Sequence, residues 1–510
     1  MPRVLASVGL LAALLVPAIV PAASPELPHP EALEAPVAFW KRVYTEVGRD
    51  EALVHDRDHL ARVYGVIDLP PKDSPELRRA RVRSAVKVYR GVLGRLAKHP
   101  DDPHSVIERR VRAAFPEETD GETIAAAADN LRVQGGLRER FRAGLERSGR
   151  WLAHIRARLR AHGVPEALAA MPHVESSFNP VARSHAGAAG MWQFTRGTGR
   201  QYLRIDHVVD ERLDPWAASD AAARLLADNY AKLGHWPLAV TAYNHGANGM
   251  RRAMEETGSA DIATIIQAYE GPYFGFASRN FYPAILAAIE VEASPQDYFP
   301  GVTPESRLET VRVSVPDFMP VDAVAEATGV DTATLRRYNP ALSTLVWSGE
   351  KFVPADYGLR MPAAEPARLR RALAGVPLDR RYAEQRPDQR HRVRSGESLS
   401  RIAAKYGVST LALVAANGLA NPNHIRAGQS LRIPRAGDEP RSLASLPVAE
   451  GGARYTVSRG DTLASIGRRF GIGVDELVAA NDLANPDLIR PGQTLTVRTA
   501  PLEATAVASK

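Results

Sequence analysis

The sequence predicts a multidomain protein, a mainly α-helical body followed by small α+β modules of β-α-α-β type, and three observations carry that prediction. Apolar residues recur three or four apart through the first 300 positions, as in Leu137, Phe141, Leu145, Trp151, Leu152, Ile155 and Leu159. After Pro300 the pattern changes to short strand-and-helix units. Val393 to Ile433 then aligns without a gap on Val457 to Val497, with 19 identities in 41 positions at an offset of 64 residues.

Residues 1–23 carry Arg3, an apolar run from Val8 to Val20 broken by Pro17, and the small-residue exit Pro21-Ala22-Ala23. This reads as a signal peptide rather than a spanning helix, which needs about 20 apolar residues. Residues 24–135 are expected to be an N-terminal helical region, its period running from Pro36 to about Arg160 and including Leu131. Residues 136–300 follow as the region holding the chemistry, rich in Ala, Gly and aromatics and dense in glycine from Gly187 to Gly199. Residues 301–388 read as a spacer with a degenerate copy of the later repeat, since Val324, Gly329, Leu335 and Asn339-Pro340 keep its core spacing. The two repeats occupy 389–435 and 453–498, with a linker over 436–452 and a tail over 499–510.

Composition narrows the function. The 510 residues contain no cysteine, which excludes disulfides, thiolate metal sites, a cysteine nucleophile and attachment of lipid to an N-terminal cysteine. A net charge of +7 comes almost wholly from arginine, with 8 lysines in the chain, and the arginines are spread among acidic neighbours along helices. That distribution argues against a nucleic-acid partner and suits an anionic polymer outside the cytoplasm. The histidines show no compact ligand spacing, and His173-x-Glu175 lacks the cysteine pair a zinc deaminase needs, so no metal and no cofactor is expected. Trp192, Trp216 and Trp236 sit in apolar contexts that fit core packing better than sugar stacking.

The candidate catalytic group is Glu175. The stretch from Pro165 reads as a helix disturbed at Pro172 that delivers Glu175 to its C-terminal end, among Val174 and Phe178. The helix dipole and apolar surroundings would both raise the carboxyl's pKa and keep it protonated as a general acid. No second carboxylate stands out, and Asp214-Pro215 reads as an N-cap followed by a first-turn proline.

Glu175-Ser176 with Asn179-Pro180, then Ser184, Gly187, Ala188, Gly190-Met191-Trp192-Gln193-Phe194 and Ala242-Tyr243-Asn244-x-Gly246, resemble the soluble lytic transglycosylase family. The resemblance implies a goose-type-lysozyme-like fold and cleavage of the MurNAc-β-1,4-GlcNAc bond of peptidoglycan glycan strands without water, leaving 1,6-anhydroMurNAc ends. It also implies that Ser184 and Gln193 line the cleft, that Tyr243 and Asn244 sit opposite Glu175, and that Tyr282 lies near it. The segments Phe39 to Glu46 and Gly144 to Arg150 extend the likeness to a membrane-bound subgroup. That subgroup often carries a lipid-modified cysteine, which is missing here. A periplasmic or secreted protein with no transmembrane segment after signal cleavage is therefore expected. A muramidase-type hydrolase on the same scaffold and a non-catalytic peptidoglycan-binding scaffold remain the alternatives.

The repeats resemble LysM domains, which implies a shallow groove for N-acetylglucosamine-containing glycan. Its candidate residues are Gly396, Glu397, Ser398, Asn421, Pro422 and Ile425 in the first copy, with Gly460, Asp461, Thr462, Asn485, Pro486 and Ile489 in the second. The acidic and hydroxyl residues after the first strand also suit helix N-caps.

Overall fold

The structure, a computed structural model, describes residues 27–71, 74–386, 389–419 and 425–433, and in the last repeat 453–457, 461–463, 466–467, 474–481, 483, 489–490 and 492–497. The expected signal peptide, linker and tail lie outside the described residues. No helix among the described residues is long and apolar enough to cross a membrane.

The N-terminal region differs from the helical expectation. Three strands, β1 (Glu51–Asp56), β2 (Val63–Asp68) and β3 (Leu131–Gly135), form an antiparallel sheet in the order β2-β1-β3. β1 is buried on both faces along Ala52 to Asp56, so it shows no polar-apolar alternation. β3 is only five residues long, and its Leu131 falls in phase with the helix that follows. The helix Pro75–Leu96 lies against this sheet, burying Tyr89, Leu93 and Leu96 with Tyr64, Val111, Phe115 and Ile124.

A larger core joins the helix Glu34–Thr45 to the helices between Arg138 and Ala293. Glu34–Thr45 buries Val37, Phe39, Val43 and Tyr44 on one face and packs on the long helix Phe276–Ala293. Trp40 Nε1 donates to Asn280 Oδ1 at 3.1 Å, and Lys41 Nζ pairs with Glu290 Oε2 at 2.8 Å. The first ordered helix thus forms a wall of the same core that carries Glu175.

Beyond Val302 the β-α-α-β plan appears three times. Antiparallel pairs join β4 (Thr310–Ser314) to β5 (Gly358–Pro362), β6 (Gln389–Arg392) to β7 (Ser430–Ile433), and β8 (Ala453–Thr456) to β9 (Thr494–Val497). One asparagine brackets each unit. Asn339 Nδ2 donates to the carbonyls of Leu335 (2.8 Å) and Arg360 (2.7 Å), and its Oδ1 accepts from Arg360 N (2.8 Å). Asn417 makes the same bonds with Leu413 and Arg432, and Asn481 with Leu477 and Thr496.

In the first unit the chain's own segment 381–386 lies across the loops that precede β5 and follow β4. Tyr382 exchanges backbone hydrogen bonds with Phe318 (2.9 and 3.2 Å), and its ring stacks on Phe352 at 4.2 Å. Arg381 Nε donates to the buried Asp317 at 2.7 Å, while Gln385 bonds the backbone of Phe352 at 2.7 and 2.9 Å.

Asn339 is 2% exposed and satisfies three backbone groups. Asn339→Ala should cost about 2–3 kcal/mol by leaving buried amides unpaired. Hydrogen exchange should accelerate across 310–362 and stay unchanged in the catalytic body.

Candidate active site

Glu175 ends a short helix whose start explains its position. Gly163 takes a left-handed turn at φ 68°, a 3-10 turn spans Glu166–Ala170, and an α-helix runs Met171–Glu175. Pro172 therefore opens a new helix, where its missing N–H costs nothing, instead of disturbing one that began at Pro165. The helix stops after Glu175 because Ser177 (φ 54°) and Phe178 (φ 57°) are both left-handed, a conformation that costs non-glycine residues about 1–3 kcal/mol each.

Surrounding groups hold that strained turn. Ser176 Oγ donates to Met191 O at 2.8 Å and accepts from Asn179 N at 3.1 Å. Arg147 Nε donates to Ser177 O at 3.1 Å. The His173 ring is buried between Phe141, stacked at 4.5 Å, and the edge of Phe178 at 4.6 Å. Its Nε2 lies 3.1 Å from Glu292 Oε2, and Glu292 Oε1 accepts from Arg156 Nη2 at 3.1 Å. Gly144 lets its helix pass close by, since a Cβ there would stand 2.9 Å from His173 Nδ1 and 3.2 Å from Ser177 Cβ.

The glycine-dense loop forms a second wall. Buried Arg212 is its post: Nε and Nη2 donate to Asp210 at 2.9 and 2.8 Å, while Nη1 donates to the carbonyls of Gly187 (2.9 Å) and Phe194 (3.1 Å). Gly190 has φ 83°, and a Cβ there would overlap the Arg212 carbonyl oxygen. Ser184 is exposed, and its Oγ accepts from Ala188 N at 3.0 Å. Gln193, left-handed at φ 48°, donates from Nε2 to Gly190 O at 2.7 Å. Both side chains thus also close the loop on itself.

Glu175 keeps partial solvent access, yet protein surrounds it closely enough that burial raises its pKa to about 8. Two phenols share this setting. Those of Tyr243 and Tyr44 are both pushed up, first by burial and then by the charge of Glu175. Tyr243 donates to Trp192 O at 2.8 Å. Asn244 is exposed and accepts from Ser278 Oγ at 2.9 Å, while buried Tyr282 donates to Pro28 O at 2.6 Å and so ties down the N-terminal segment.

Tyr44 was not among the candidates read from sequence. It is 2% exposed and stacks on Phe141 at 4.9 Å, which stacks in turn on His173. The available signal was its place in the Phe39–Glu46 segment. Asp214 caps the next helix through Trp216 N (2.8 Å) and Ala217 N (3.2 Å). Trp192 is fully buried, Trp236 stacks on Tyr230 at 4.3 Å, and Arg360 covers Trp216 at 3.8 Å. No group of three or more potential metal ligands occurs among the described residues.

In the first repeat Gly396 takes φ 82°, and Glu397 accepts from Arg394 N (2.8 Å) and contacts His391 Nε2 (2.7 Å). Ser398 caps the helix Leu399–Lys405 through Arg401 N, and Ile425 packs on the module core. In the second repeat Asp461 accepts from Tyr455 Oη at 2.6 Å, the Thr462 carbonyl accepts from Ile466 N at 2.9 Å, and Ile489 packs on the core. Asn421, Pro422, Gly460, Asn485 and Pro486 lie outside the described residues.

The Transglycosylase SLT domain family matches residues 153–266, and the LysM domain family matches 391–434 and 455–498. Membrane-bound lytic murein transglycosylase D of Escherichia coli K12 is 31% identical over 363 residues, covering 68% of this chain and 75% of its own. Secreted LysM effector ECP6 of Passalora fulva is 38% identical over 122 residues, 22% of this chain and 54% of its own. The solved lytic transglycosylase Slt of Pseudomonas aeruginosa is 17% identical, covering 44% of this chain and 34% of its own with a TM-score of 0.24.

Because the folded-state pKa of Glu175 lies above the ordinary 4.5, the folded chain holds a proton that the unfolded chain gives up between about 4.5 and about 8. The resulting penalty is absent at low pH, grows as pH rises through that window and is complete above about 8. Glu175→Gln removes it. The melting temperature of the variant minus that of the wild type should be near zero at pH 4.5 and rise to a positive plateau above pH 8, as scanning calorimetry can read. Gly144→Ala should displace His173 and Ser177, and turnover should fall more than tenfold with sacculus binding unchanged.

Proposed function

This chain belongs to the lytic murein transglycosylases, and from that membership we propose that Glu175 alone serves as acid and base in cleaving peptidoglycan glycan strands. The protein is a peptidoglycan lytic transglycosylase with LysM peptidoglycan-binding domains. The observation that carries the assignment to Glu175 is its desolvated carboxyl, neutral at pH 7 with a pKa raised to about 8.

A neutral carboxyl on the cleft wall can protonate the glycosidic oxygen as the MurNAc–GlcNAc bond breaks. The departing sugar takes that proton, and positive charge develops at the anomeric carbon of MurNAc. Glu175, now a carboxylate, removes the proton of the muramoyl C6 hydroxyl as its oxygen bonds to that carbon. The product is a 1,6-anhydroMurNAc end, and the carboxyl is restored without water. Ordinary glycoside hydrolysis needs two carboxyl groups; here the substrate's own hydroxyl replaces the second.

Ser184, Gln193, Tyr243, Asn244 and Tyr282 are proposed to shape this cleft, and Tyr44 joins them as a buried phenol that stacks on Phe141 and feels the charge of Glu175. The LysM residues Gly396, Glu397, Ser398, Asn421, Pro422 and Ile425, with Gly460, Asp461, Thr462, Asn485, Pro486 and Ile489, are proposed to hold glycan. Residues 1–23 are proposed to direct export, which places the enzyme in the periplasm or outside the cell without a lipidated cysteine. The proposed division keeps 24–135 and 136–300 as the body, 301–388 as the spacer, and 389–435 and 453–498 as the modules.

Mass spectrometry of muropeptides released from purified sacculi should find anhydromuramoyl ends from the wild type and none from Glu175→Gln. Hydrated reducing ends would instead assign a hydrolase. Activity should fall as pH rises through about 8, where the acid form of Glu175 is lost. Tyr44→Phe should shift that alkaline limb while leaving the melting temperature nearly unchanged.

A further inference from the structure

The first LysM module carries a cationic groove beside its expected glycan residues. The groove encloses about 680 Å³ and is lined by Arg390, Arg392, Arg394, Lys405, Tyr406 and Gly428, among others. Gly396, Glu397, Ser398 and Ile425 are outside its lining but adjoin it through Arg394 and Gly428.

Strand geometry gathers the charge. Along β6 and the residues after it, His391 and Val393 point into the module, while Arg390, Arg392 and Arg394 alternate with them and are exposed. Lys405 is exposed at the end of the adjoining helix, over the ring of Tyr406 at 5.4 Å. Glu397, the acid of the adjoining turn, bonds His391 and the Arg394 backbone and also acts on Lys405, so cations outnumber acids in this set among the described residues. The module fold does not require Arg392 and Arg394 either. At the positions of Arg392 and Arg394 the second module carries Thr456 and Ser458, yet builds the same sheet in the same register.

Like charges brought together without a fold requirement cost stability unless an anion meets them. A neutral glycan offers none. Within peptidoglycan, anionic groups come from the stem peptides on each MurNAc, whose free carboxylates project from the strand next to the sugars a LysM groove would hold. We propose that this groove binds stem-peptide carboxylates, so that the first module prefers peptide-bearing strands to neutral glycan. Arg432, opposite Arg390 across the sheet, reaches His207 of the catalytic body at 3.0 Å. The groove therefore lies on the side of the module that faces the catalytic body. The proposal rests on the LysM reading above.

The test uses full-length protein carrying Glu175→Gln, so that substrate is not consumed, with intact purified sacculi and with chitin, a neutral N-acetylglucosamine polymer that carries no carboxylate. Affinity for peptide-bearing material should be about tenfold higher, the sum expected of two or three exposed ion pairs, and the difference should vanish at high salt. Adding Arg392→Gln and Arg394→Gln should abolish the preference and leave binding to chitin intact. Equal affinity for both materials, or a preference that survives high salt or the double substitution, would overturn the proposal. Loss of all glycan binding by the parent protein would refute the LysM reading itself, a distinguishable result.

Discussion

A carboxyl group placed where no cation or amide reaches it favours its neutral form, and the rest of this site is built around making that placement hold. Burial alone raises Glu175 to a pKa of about 8. The cost appears in the backbone, as two consecutive left-handed residues follow Glu175 and a third, Gln193, sits on the facing loop. Such strain persists only where neighbours over-determine it. Here they do, through Arg147 on the Ser177 carbonyl, Ser176 on Met191, His173 wedged between two rings, and Arg212 bracing the opposite loop. Removing ordinary stabilisers of a carboxylate is what makes a proton donor available at neutral pH.

The parts legible in sequence were those written locally. Glu175 and the glycine-rich loop lie within 24 residues of one another, and the LysM modules repeat at a fixed offset. The strands of the N-terminal sheet were not legible, because β1 is covered on both faces and β3 is brief. Nor were the contacts that close the site from a distance. Tyr44 reaches the Glu175 pocket only because its helix packs on Phe276–Ala293, and Glu292 meets His173 from that same helix. The resemblance assigns Ser184, Gln193 and Tyr282 to the substrate cleft, yet each makes a bond that the fold itself uses. A motif cannot separate those duties, since a buried hydroxyl or amide needs a partner in either case.

The C-terminal third applies one plan to different ends. The same asparagine bracket closes all three β-α-α-β units, so the fold survives wide changes on its surface. In the first unit segment 381–386 lies across the loops that follow β4 and precede β5, whereas in the second the turn after β6 has Gly396 at positive φ and a cationic groove beside it. Leu345 of the first unit packs on Ala412 and Ala416 of the second, seating that module against the spacer. Tandem modules raise the local concentration of a catalytic domain on a polymer even when each binds weakly.

The central claim is that Glu175 is a neutral acid at the pH where the enzyme works. Infrared difference spectroscopy of the wild type minus Glu175→Gln, recorded across pH, reads that protonation state directly. A protonated-carboxyl band present at pH 7 and lost with a midpoint near 8 is the predicted result. A carboxylate band already complete at pH 6, with a midpoint near the ordinary 4.5, would contradict the account.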